Sequence, residues 1–428
     1  MITKFGCKNI KAIRNFTMID IKPITVIMGE NSSGKSSILQ ALSLLSVNKI
    51  YGNDIRKISY NNPFSNFEDN DTFKNKGENV TLFFEIIEDE EVYSITLIYE
   101  DDIDNNQYGL LSKIEIESKE FKLFFTKVTS DEFDINLSTI EFKTQQAKEN
   151  YMWIKDISST DLLRTNLKVL TSHVFDSSYT YNEDTQMKFL KFDIKPFLKP
   201  LELLSNNLEA IRHIGMIKNV NAPYAYPSDY IGYFGEKYKD IAKNLSSKLY
   251  INKSIKNIFN YEIKKIDKNT GDFYLTDSKI KKNLTLNMFG SSVSSTMPIL
   301  TQYARNREKD LKYKYRLTII EEPEINEHPL SQARLVEALF PKSRPKKHFN
   351  IIETHSEHIV NKLRYLVYTK QLKASDIVIY YKTKDKDEFQ KIEIDKKGLF
   401  QGKDNNRFPK GFYDATLEEI FEIETANI

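Results

Sequence analysis

The sequence predicts an α/β fold to which an antiparallel β region and a helical insertion are added. A β-branched run at residues 24–28 is followed by a glycine-containing loop and then by a segment typical of a helix. Residues 80–128 hold several segments rich in strand-forming residues and separated by polar breaks. Two more short apolar runs, at residues 315–320 and 351–352, end in acidic or polar side chains.

The loop at residues 29–36 carries the complete phosphate-binding pattern G-x-x-x-x-G-K-[ST]. In the order strand, loop, helix, successive backbone N–H groups and a helix N-terminus point at one place, where phosphates can be held. We therefore predict a P-loop NTPase in which Lys35 contacts the β- and γ-phosphates of ATP and the Ser36 hydroxyl binds Mg²⁺. The predicted nucleotide-binding residues are Gly29, Glu30, Asn31, Ser32, Ser33, Gly34, Lys35, Ser36 and Ser37.

The composition excludes only a few classes of protein. The chain has 428 residues, enough for one large domain or two ordinary ones, and a formal charge of +2. This near-neutral charge gives no argument for strong nucleic-acid binding. Cys7 is the only cysteine, which excludes a disulfide framework and a cysteine metal site. No apolar run approaches the roughly 20 residues of a membrane helix, so we expect a cytoplasmic protein that does not bind membranes.

The character of the sequence changes along the chain. Segments 80–87, 92–99 and 111–128 predict antiparallel meanders, and residues 145–208 are more helical and irregular. We find no sustained heptad run, so we expect no long coiled coil. We expect three regions: an N-terminal ATPase lobe with the β subdomain at residues 1–145, a helical or irregular insertion at 146–280, and a C-terminal ATPase lobe at 281–428.

A pair of acidic residues, Glu321 and Glu322, follows the apolar run at residues 315–320. Carboxylates at the carboxyl end of a buried strand lie at the mouth of an α/β sheet, where ligands bind. In a P-loop ATPase the first acid orients Mg²⁺ through water, and the second polarises the water that attacks the γ-phosphate. We therefore predict Glu321 as a magnesium residue and Glu322 as the catalytic base. We expect Pro323 to end the strand and to keep both acids out of its ladder.

His355 follows the short strand at residues 351–352 and precedes a helical segment at 359–364. A histidine at this place can hydrogen-bond the γ-phosphate and respond to its loss, so we predict it as a catalytic residue. Zinc binding by His355, Glu357 and His358 is the alternative. Their spacing differs from H-E-x-x-H, which places two ligands on one helical face, so ATP chemistry is favoured.

These three motifs, in this order, resemble the ATP-binding-cassette (ABC) ATPases of the SMC, RecF and OLD group. Within that group the chain is similar to small bacterial ATPases without a coiled coil, including the PtuA-like ATPases of antiviral defence. The likeness includes residues 320–329 as the extended Walker B motif and D-loop, and residues 353–358 as the switch region. Residues 231–236 and 408–414 are similar to later landmarks of the subgroup.

The chain departs from this family pattern in its signature segment, residues 289–298. Relatives carry a glycine-rich signature that contacts the γ-phosphate of a dimer partner. Here Ser292 stands where a second glycine is common, and its side chain can limit close approach of the backbone. We expect Ser292 and Ser294 to act in trans, just ahead of a helix that starts at Met297–Pro298. Lys218 stands where relatives have an arginine, and we place the Q-loop within residues 63–69.

The resemblance implies an ATPase that binds ATP and Mg²⁺ and forms a homodimer or higher homo-oligomer. Its ATP-bound dimer would control a separate effector, a nuclease or a toxin, in bacterial defence against phage. One alternative is a DNA-repair or DNA-end-binding ATPase of the RecF type, and weak nucleic-acid binding fits either. Another is an OLD-type nuclease, which needs an Asp-x-Asp after the switch histidine; Asp385 and Asp387 are the only candidate there.

Three further segments suggest common structural roles. The acidic loop at residues 101–107 lacks the central glycine and final glutamate of a calcium loop, so we expect a solvated turn. The basic cluster at residues 342–347 follows a helix and is expected to be a solvated loop rather than a phosphodiester contact. Residues 416–423 have apolar side chains at helical spacing, and we expect this helix to pack on its own domain.

Overall fold

The structure of the protein is a computed structural model. It describes residues 1–50, 55–59, 74, 77–102, 108–127, 132–135, 141–150, 163–166, 195–215, 228–246, 248–277, 282–308 and 313–401. Contacts divide the chain into two compact units. Unit 1 contains Met1–Asp20 and the described residues from Ser37 to Ala210, and unit 2 contains Ile21–Ser36 and the described residues from Ile211 onward. The three regions predicted from the sequence, 1–145, 146–280 and 281–428, do not correspond to these two units and stay a prediction.

Consecutive strands predominate in the first half of the described chain, and helices separate strands mainly in the second half. In chain order the strands are β1 (Ile2–Lys8), β2 (Thr17–Asp20), β3 (Ile24–Gly29), β4 (Lys57–Ser59), β5 (Val80–Glu88), β6 (Glu91–Asp101), β7 (Tyr108–Glu117), β8 (Phe121–Lys127), β9 (Glu132–Ile135), β10 (Glu141–Phe142), β11 (Leu163–Asn166), β12 (Ile211–Ile214), β13 (Tyr261–Ile266), β14 (Phe273–Asp277), β15 (Asn283–Thr285), β16 (Arg316–Glu321), β17 (His348–Glu353), β18 (Ile377–Lys382), β19 (Gln390–Ile394) and β20 (Phe400–Gln401). The helices are α1 (Lys35–Ile50), α2 (Gln145–Asn150), α3 (Lys195–Glu209), α4 (Tyr238–Asn244), α5 (Lys248–Phe259), α6 (Ser291–Arg305), α7 (Pro329–Leu339) and α8 (Glu357–Tyr368).

The main sheet of unit 2 has the strand order β12-β16-β17-β3-β18-β19-β20. The first five strands are parallel, and β19 and β20 continue the sheet antiparallel. Every residue of β3 and of β18 is buried, as expected for inner strands of a sheet covered on both faces. A smaller antiparallel sheet, β13-β14-β15, also lies in this unit.

Unit 1 is built on an antiparallel sheet with the order β11-β9-β8-β7-β6-β5-β1-β2. In β5 buried and partly exposed residues alternate, so one face of the strand packs against the core. The core includes a contact between Phe5 and Phe84, whose ring centroids are 5.2 Å apart. The meander predicted at residues 80–128 is confirmed, because β5, β6, β7 and β8 pair in succession.

Two helices of unit 2 begin at side-chain caps that the sequence encodes. The ring of His328 accepts a hydrogen bond from Leu330 N, and Pro329 occupies the first turn of α7. Ser356 Oγ accepts a hydrogen bond from Ile359 N at the start of α8. The cap at Ser356 therefore fixes where the chain turns after β17. Among the described residues, no helix has both the length and the apolar character to cross a membrane.

Candidate functional site

The predicted catalytic and magnesium residues Ser36, Glu321, Glu322 and His355 lie at the carboxyl edge of the parallel sheet in unit 2. Strand β17 lies between β3, which leads into the phosphate-binding loop, and β16, which ends at Glu321. The ends are in register, because Glu353 pairs with Glu321 on one side and with Ile27 on the other. Segments far apart in the sequence therefore meet at one edge, where ligands bind in open α/β sheets.

The phosphate-binding loop has the backbone that its glycines allow. Gly29 and Gly34 have φ values of 138° and 102°, a region that disfavours other residues. A Cβ added at Gly29 would lie 1.9 Å from the carbonyl oxygen of Lys382, so no side chain fits there. Ser32, with φ of 58°, also adopts the left-handed conformation. The loop thus turns sharply between β3 and α1, as its motif predicts.

Lys35 is buried, and its ammonium group faces back into the loop. Its Nζ donates to the carbonyl oxygens of Gly29 at 3.1 Å and Glu30 at 2.6 Å. Burial lowers the pKa of Lys35, and the carboxylates of Glu353, Glu322 and Glu30 oppose that shift. An ammonium held at the centre of the loop is placed to bind a phosphate, which has the opposite charge.

Glu321 is held by two side chains that the sequence did not single out. His213 Nε2 lies 3.0 Å from Glu321 Oε1, and the Tyr233 hydroxyl donates to Glu321 Oε2 at 3.0 Å. His213 belongs to β12, whereas Tyr233 lies in the 231–236 segment that resembled a family landmark. Glu321 is also the last residue of β16, paired with Glu353, so the expectation that Pro323 keeps both acids out of the ladder is wrong for Glu321.

Glu322 leaves the strand and contacts the predicted switch histidine. Its φ of 44° turns the chain, and its N–H donates to the carbonyl oxygen of Glu353 at 2.8 Å. His355 Nε2 lies 3.5 Å from Glu322 Oε1. The hydrogen bond from His355, with smaller contributions from nearby positive charge, lowers the pKa of Glu322. Glu322 is therefore ionised at neutral pH and able to accept a proton.

The backbone of His355 is fixed by Glu324, which the sequence predicted only as part of the acidic motif. Glu324 Oε1 accepts a hydrogen bond from His355 N at 2.6 Å. Burial raises the pKa of Glu324, and the hydrogen bond from His355 N opposes this shift. The acidic segment after β16 and the switch segment after β17 therefore position each other.

Glu353 is a further acidic residue of the site, and the sequence placed it only within the switch region at 353–358, without a role of its own. It is 2% exposed, and its Oε1 accepts a hydrogen bond from Ser36 Oγ at 2.8 Å. Burial, followed by the charge of Glu321, raises the pKa of Glu353 well above its usual range. A signal was present in the sequence, since an acidic residue ends the otherwise apolar run 351–352, directly before Thr354 and His355.

The side chains at this edge fit a magnesium ion bound together with phosphate oxygens. Ser36, Glu321 and Glu353 offer the hard oxygen ligands that Mg²⁺ prefers. Two buried oxygens, Ser33 Oγ and Glu353 Oε2, have no hydrogen-bond partner among the described residues, so the site has unused acceptors. No group of three His, Cys, Asp or Glu side chains able to hold a metal alone occurs in the described part of the chain. Mg²⁺ usually keeps waters and substrate phosphates as ligands, so this finding is compatible with it.

The alternative metal sites lack such a cluster too. His355, Glu357 and His358, proposed for zinc, are all described, and so are Asp385 and Asp387 of the nuclease alternative. None of these residues forms a metal-binding group with other described side chains.

The predicted signature segment lies at the start of helix α6. This helix begins at Ser291 with Gly290 as its N-cap, so the expected start at Met297–Pro298 is wrong. Ser292 and Ser294 are half-buried residues of its first turns rather than of a preceding loop. Gly290 has no side-chain cap, and a Cβ added there would meet nothing within 4 Å. The backbone at this helix start is thus open to approach.

Some predicted features lie wholly or partly outside the described residues. These are the Q-loop at 63–69, Lys218, most of the acidic loop at 101–107, and the C-terminal segments 408–414 and 416–423. The basic cluster at 342–347 is described. It forms turns after α7 with exposed lysines, as predicted for a solvated loop, and its Arg344 pairs with Asp376.

Comparisons with known proteins give one family match and several matches to solved structures. A family model described as "AAA ATPase domain" matches residues 1–360. A search of the curated proteins found no significant match. Among solved structures, the chain matches the SMC head domain from Thermotoga maritima at 10% identity and a TM-score of 0.41, covering 92% of this chain and 99% of that chain. It also matches an Smc head domain with an extended coiled coil bound to the C-terminal domain of ScpA, derived from Pyrococcus furiosus, at 10% identity and a TM-score of 0.43, covering 99% of each chain.

The family match extends over most of the 428 residues and includes the phosphate-binding loop, the acidic pair and His355. The parallel sheet that ends at this loop and the antiparallel sheet of unit 1 are the two parts of the predicted fold. The predicted recognition of the chain as an ATPase is confirmed at the level of this family. This chain belongs to the AAA ATPase domain family.

Proposed function

We propose that this protein is a Mg²⁺-dependent, ATP-hydrolysing switch that forms a homodimer and controls a separate effector protein in the cytoplasm. The observation that carries this proposal is the meeting of Lys35, Ser36, Glu322 and His355 at one edge of the sheet. These residues supply an ammonium for phosphate, a hydroxyl for Mg²⁺, an ionised base and a histidine beside that base. This is the set of groups that phosphoryl transfer to water requires.

The role that we propose for each side chain in ATP hydrolysis follows from its contacts. Lys35 and the loop N–H groups bind the phosphates, and Ser36 with Glu321 holds the Mg²⁺ that accompanies them. Glu322 accepts a proton from the attacking water, because its lowered pKa keeps it ionised. His355, which lies 3.5 Å from Glu322, reports whether the γ-phosphate is present.

The proposed dimer is head to tail, with two ATP molecules between phosphate loops and opposing signature segments. The N-terminus of α6 supports this arrangement, because Gly290 leaves its backbone open and a helix N-terminus favours anions. Ser292 and Ser294 would donate to the ATP bound by the partner. ATP binding would close the dimer, and hydrolysis would open it.

The proposed biological role is defence against phage, through an effector encoded by a neighbouring gene. The sequence resemblance to PtuA-like ATPases motivates this role, and the formal charge of +2 argues against strong DNA binding by the chain alone. The alternative is a DNA-repair ATPase of the RecF type. Co-purification with a protein partner distinguishes the two roles.

The test is to purify the protein with the products of its neighbouring genes and to assay both binding and cleavage. We expect an effector to co-purify with wild-type protein, and its binding to change in Lys35→Ala. The isolated chain should cleave neither DNA nor RNA with Mg²⁺ or Mn²⁺ and ATP. Cleavage by the isolated chain would contradict the role. Tight DNA binding at about 150 mM salt without a protein partner would favour the repair alternative.

A further inference from the structure

Glu353 has an unusual position for a buried carboxylate. It ends β17, the strand between the one that leads into the phosphate loop and the one that carries Glu321. Paired residues on neighbouring strands place their side chains on the same face of a sheet. The side chains of Glu353 and Glu321, which are such a pair, therefore lie side by side at the carboxyl edge. The hydrogen bond to Ser36 Oγ joins Glu353 to the first turn of α1.

Only one oxygen of this carboxylate is satisfied. Oε1 accepts the hydrogen bond from Ser36, whereas Oε2 has no partner among the described residues although the side chain is 2% exposed. Leaving a buried carboxylate oxygen unpaired is costly, and the cost is removed by a hydrogen-bond donor or a cation. The neighbouring ammonium, that of Lys35, already donates to two loop carbonyl oxygens.

The groups around Glu353 offer little positive charge to its free oxygen. Glu321, another carboxylate, ends the neighbouring strand in register with Glu353, and the ammonium of Lys35 is bound to the carbonyl oxygens of the loop. A divalent cation beside Oε2 would supply the positive charge that these adjacent carboxylates lack. Mg²⁺ is commonly bound by one or two carboxylates together with substrate phosphates.

We propose that Glu353 is a ligand of the Mg²⁺ that accompanies ATP, acting with the Ser36 hydroxyl. This inference rests on the ATP-binding part of the proposed function and adds one residue to it. Glu353 orients the Ser36 hydroxyl with Oε1 and offers Oε2 to the ion. A purely structural Glu353 would only hold Ser36 in place, and a neutral side chain of the same shape would do that equally well.

The test is Glu353→Gln, which keeps the shape and the acceptor oxygen for Ser36 but removes the charge. The Mg²⁺ concentration that gives half-maximal binding of a fluorescent ATP analogue is measured for wild type and variant. We expect it to rise about 10-fold or more, whereas binding of the analogue without Mg²⁺ stays unchanged. Electron paramagnetic resonance of Mn²⁺ with ATP gives a second readout, and we expect weaker binding of the ion.

A matched control is Glu308→Gln, which removes another largely buried carboxylate, outside the nucleotide site. Glu308 Oε1 accepts a hydrogen bond from Ser246 Oγ at 2.8 Å, and Oε2 pairs with Arg305 at 2.5 Å. We expect this variant to leave the Mg²⁺ dependence unchanged. Glu353→Asp keeps the charge but withdraws both oxygens by one methylene, so it should give a shift that is measurable and smaller than that of Glu353→Gln. It is the variant used if Glu353→Gln does not fold.

An unchanged Mg²⁺ dependence in folded Glu353→Gln would overturn this inference, and so would equal shifts in the Glu353→Gln and Glu308→Gln variants. If Glu353→Gln does not fold, wild-type behaviour of Glu353→Asp would overturn it. Failure of the wild-type protein to bind the analogue at any Mg²⁺ concentration would instead contradict the proposed function. The two failures are therefore distinguishable.

Discussion

His213 Nε2 lies 3.0 Å from Glu321 Oε1, which connects the edge strand β12 to the last residue of β16. The register places His213 beside Ile319, so its ring reaches along the neighbouring strand to the carboxylate. Tyr233 holds the other oxygen of the same carboxylate. Glu321 is thus oriented by two neighbours before any ligand binds, which is the preorganisation that a metal-orienting acid needs.

The first prediction concerns this orientation of Glu321. Tyr233→Phe removes one hydrogen bond and should lower ATP turnover about 10-fold, because supporting residues around a metal-binding acid typically contribute 10- to 100-fold. Turnover is measured at saturating ATP and Mg²⁺. Tyr303→Phe is the matched control, since the Tyr303 hydroxyl is buried and bonds Asn350 Oδ1 at 2.7 Å instead. We expect Tyr303→Phe to lower thermal stability and to leave turnover near that of wild type; equal losses in the two variants would contradict a specific role of Tyr233.

The second prediction concerns the catalytic base. Glu322→Gln should lower ATP turnover by about 10² to 10⁴ and leave ATP binding nearly intact, because the amide keeps the shape but accepts no proton. Lys35→Ala should instead weaken ATP binding. Steady-state turnover and equilibrium binding of ATP are both measured for each variant. Similar turnover in wild type and Glu322→Gln would remove Glu322 from the proposed role.

The third prediction concerns the signature segment at the start of α6. Ser294→Arg should block the trans contact, and Lys35→Ala should block the phosphate loop. Mixing the two inactive variants should restore one intact composite site per dimer and part of the activity. Dimers that form without any recovery would indicate a different assembly.

The fourth prediction concerns His348, which lies outside the nucleotide site. Burial, followed by the charges of Arg316 and Arg307, lowers the pKa of His348 to about 3. Its Nε2 lies 2.8 Å from Arg316 Nη1, so the neutral ring accepts this hydrogen bond. The unfolded chain takes up a proton below its ordinary pKa of 6.5, and the folded chain does so only near pH 3. The free energy of unfolding should therefore fall by about 1 kcal/mol per pH unit as the pH decreases below 6.5.

His348→Gln isolates this contribution, because glutamine also accepts a hydrogen bond but does not titrate. Urea unfolding of both proteins is measured between pH 7 and pH 5. We expect a shallower loss of stability in the variant, since the acidic groups are common to both proteins. If the free energy of unfolding falls equally with decreasing pH in both proteins, His348 is not the source of this pH dependence.

The parts of the fold with strong local patterns could be predicted from the sequence. The buried runs that became β3, β16 and β17 are apolar and end in glycine or acidic residues. Their local sequence therefore gives both the type of element and the place where the site residues leave it. The complete phosphate-binding pattern gave the loop in the same way, because each of its fixed positions has a local physical reason.

The start of α6 could not be placed from local signals. Serines at 291, 292, 294 and 295 are weak helix formers, and a proline such as Pro298 is typical of a first turn. Burial of Val293, Thr296 and Met297 shows that packing extends the helix toward its N-terminus. Tertiary contacts thus outweighed the local preference.

The contacts that orient the acidic groups could not be predicted from the sequence either. His213 and Glu321 are 108 residues apart, and Ser36 and Glu353 are 317 residues apart. Which strands become neighbours decides these pairs, and a single sequence gives no pairing information at that separation. The 231–236 segment shows the limit clearly, since the resemblance located it but could not predict that Tyr233 contacts Glu321.

The central claim is that ATP binding joins two copies of this chain, and the mass of the Glu322→Gln variant in solution tests it most directly. Light scattering after size exclusion is recorded with no nucleotide, with ATP and Mg²⁺, and with ATP and Mg²⁺ for the double variant Lys35→Ala, Glu322→Gln. We expect the Glu322→Gln mass to double only when ATP and Mg²⁺ are present, and the double variant to stay at the mass without nucleotide. A mass of Glu322→Gln that does not change on saturation with ATP and Mg²⁺ would contradict the account.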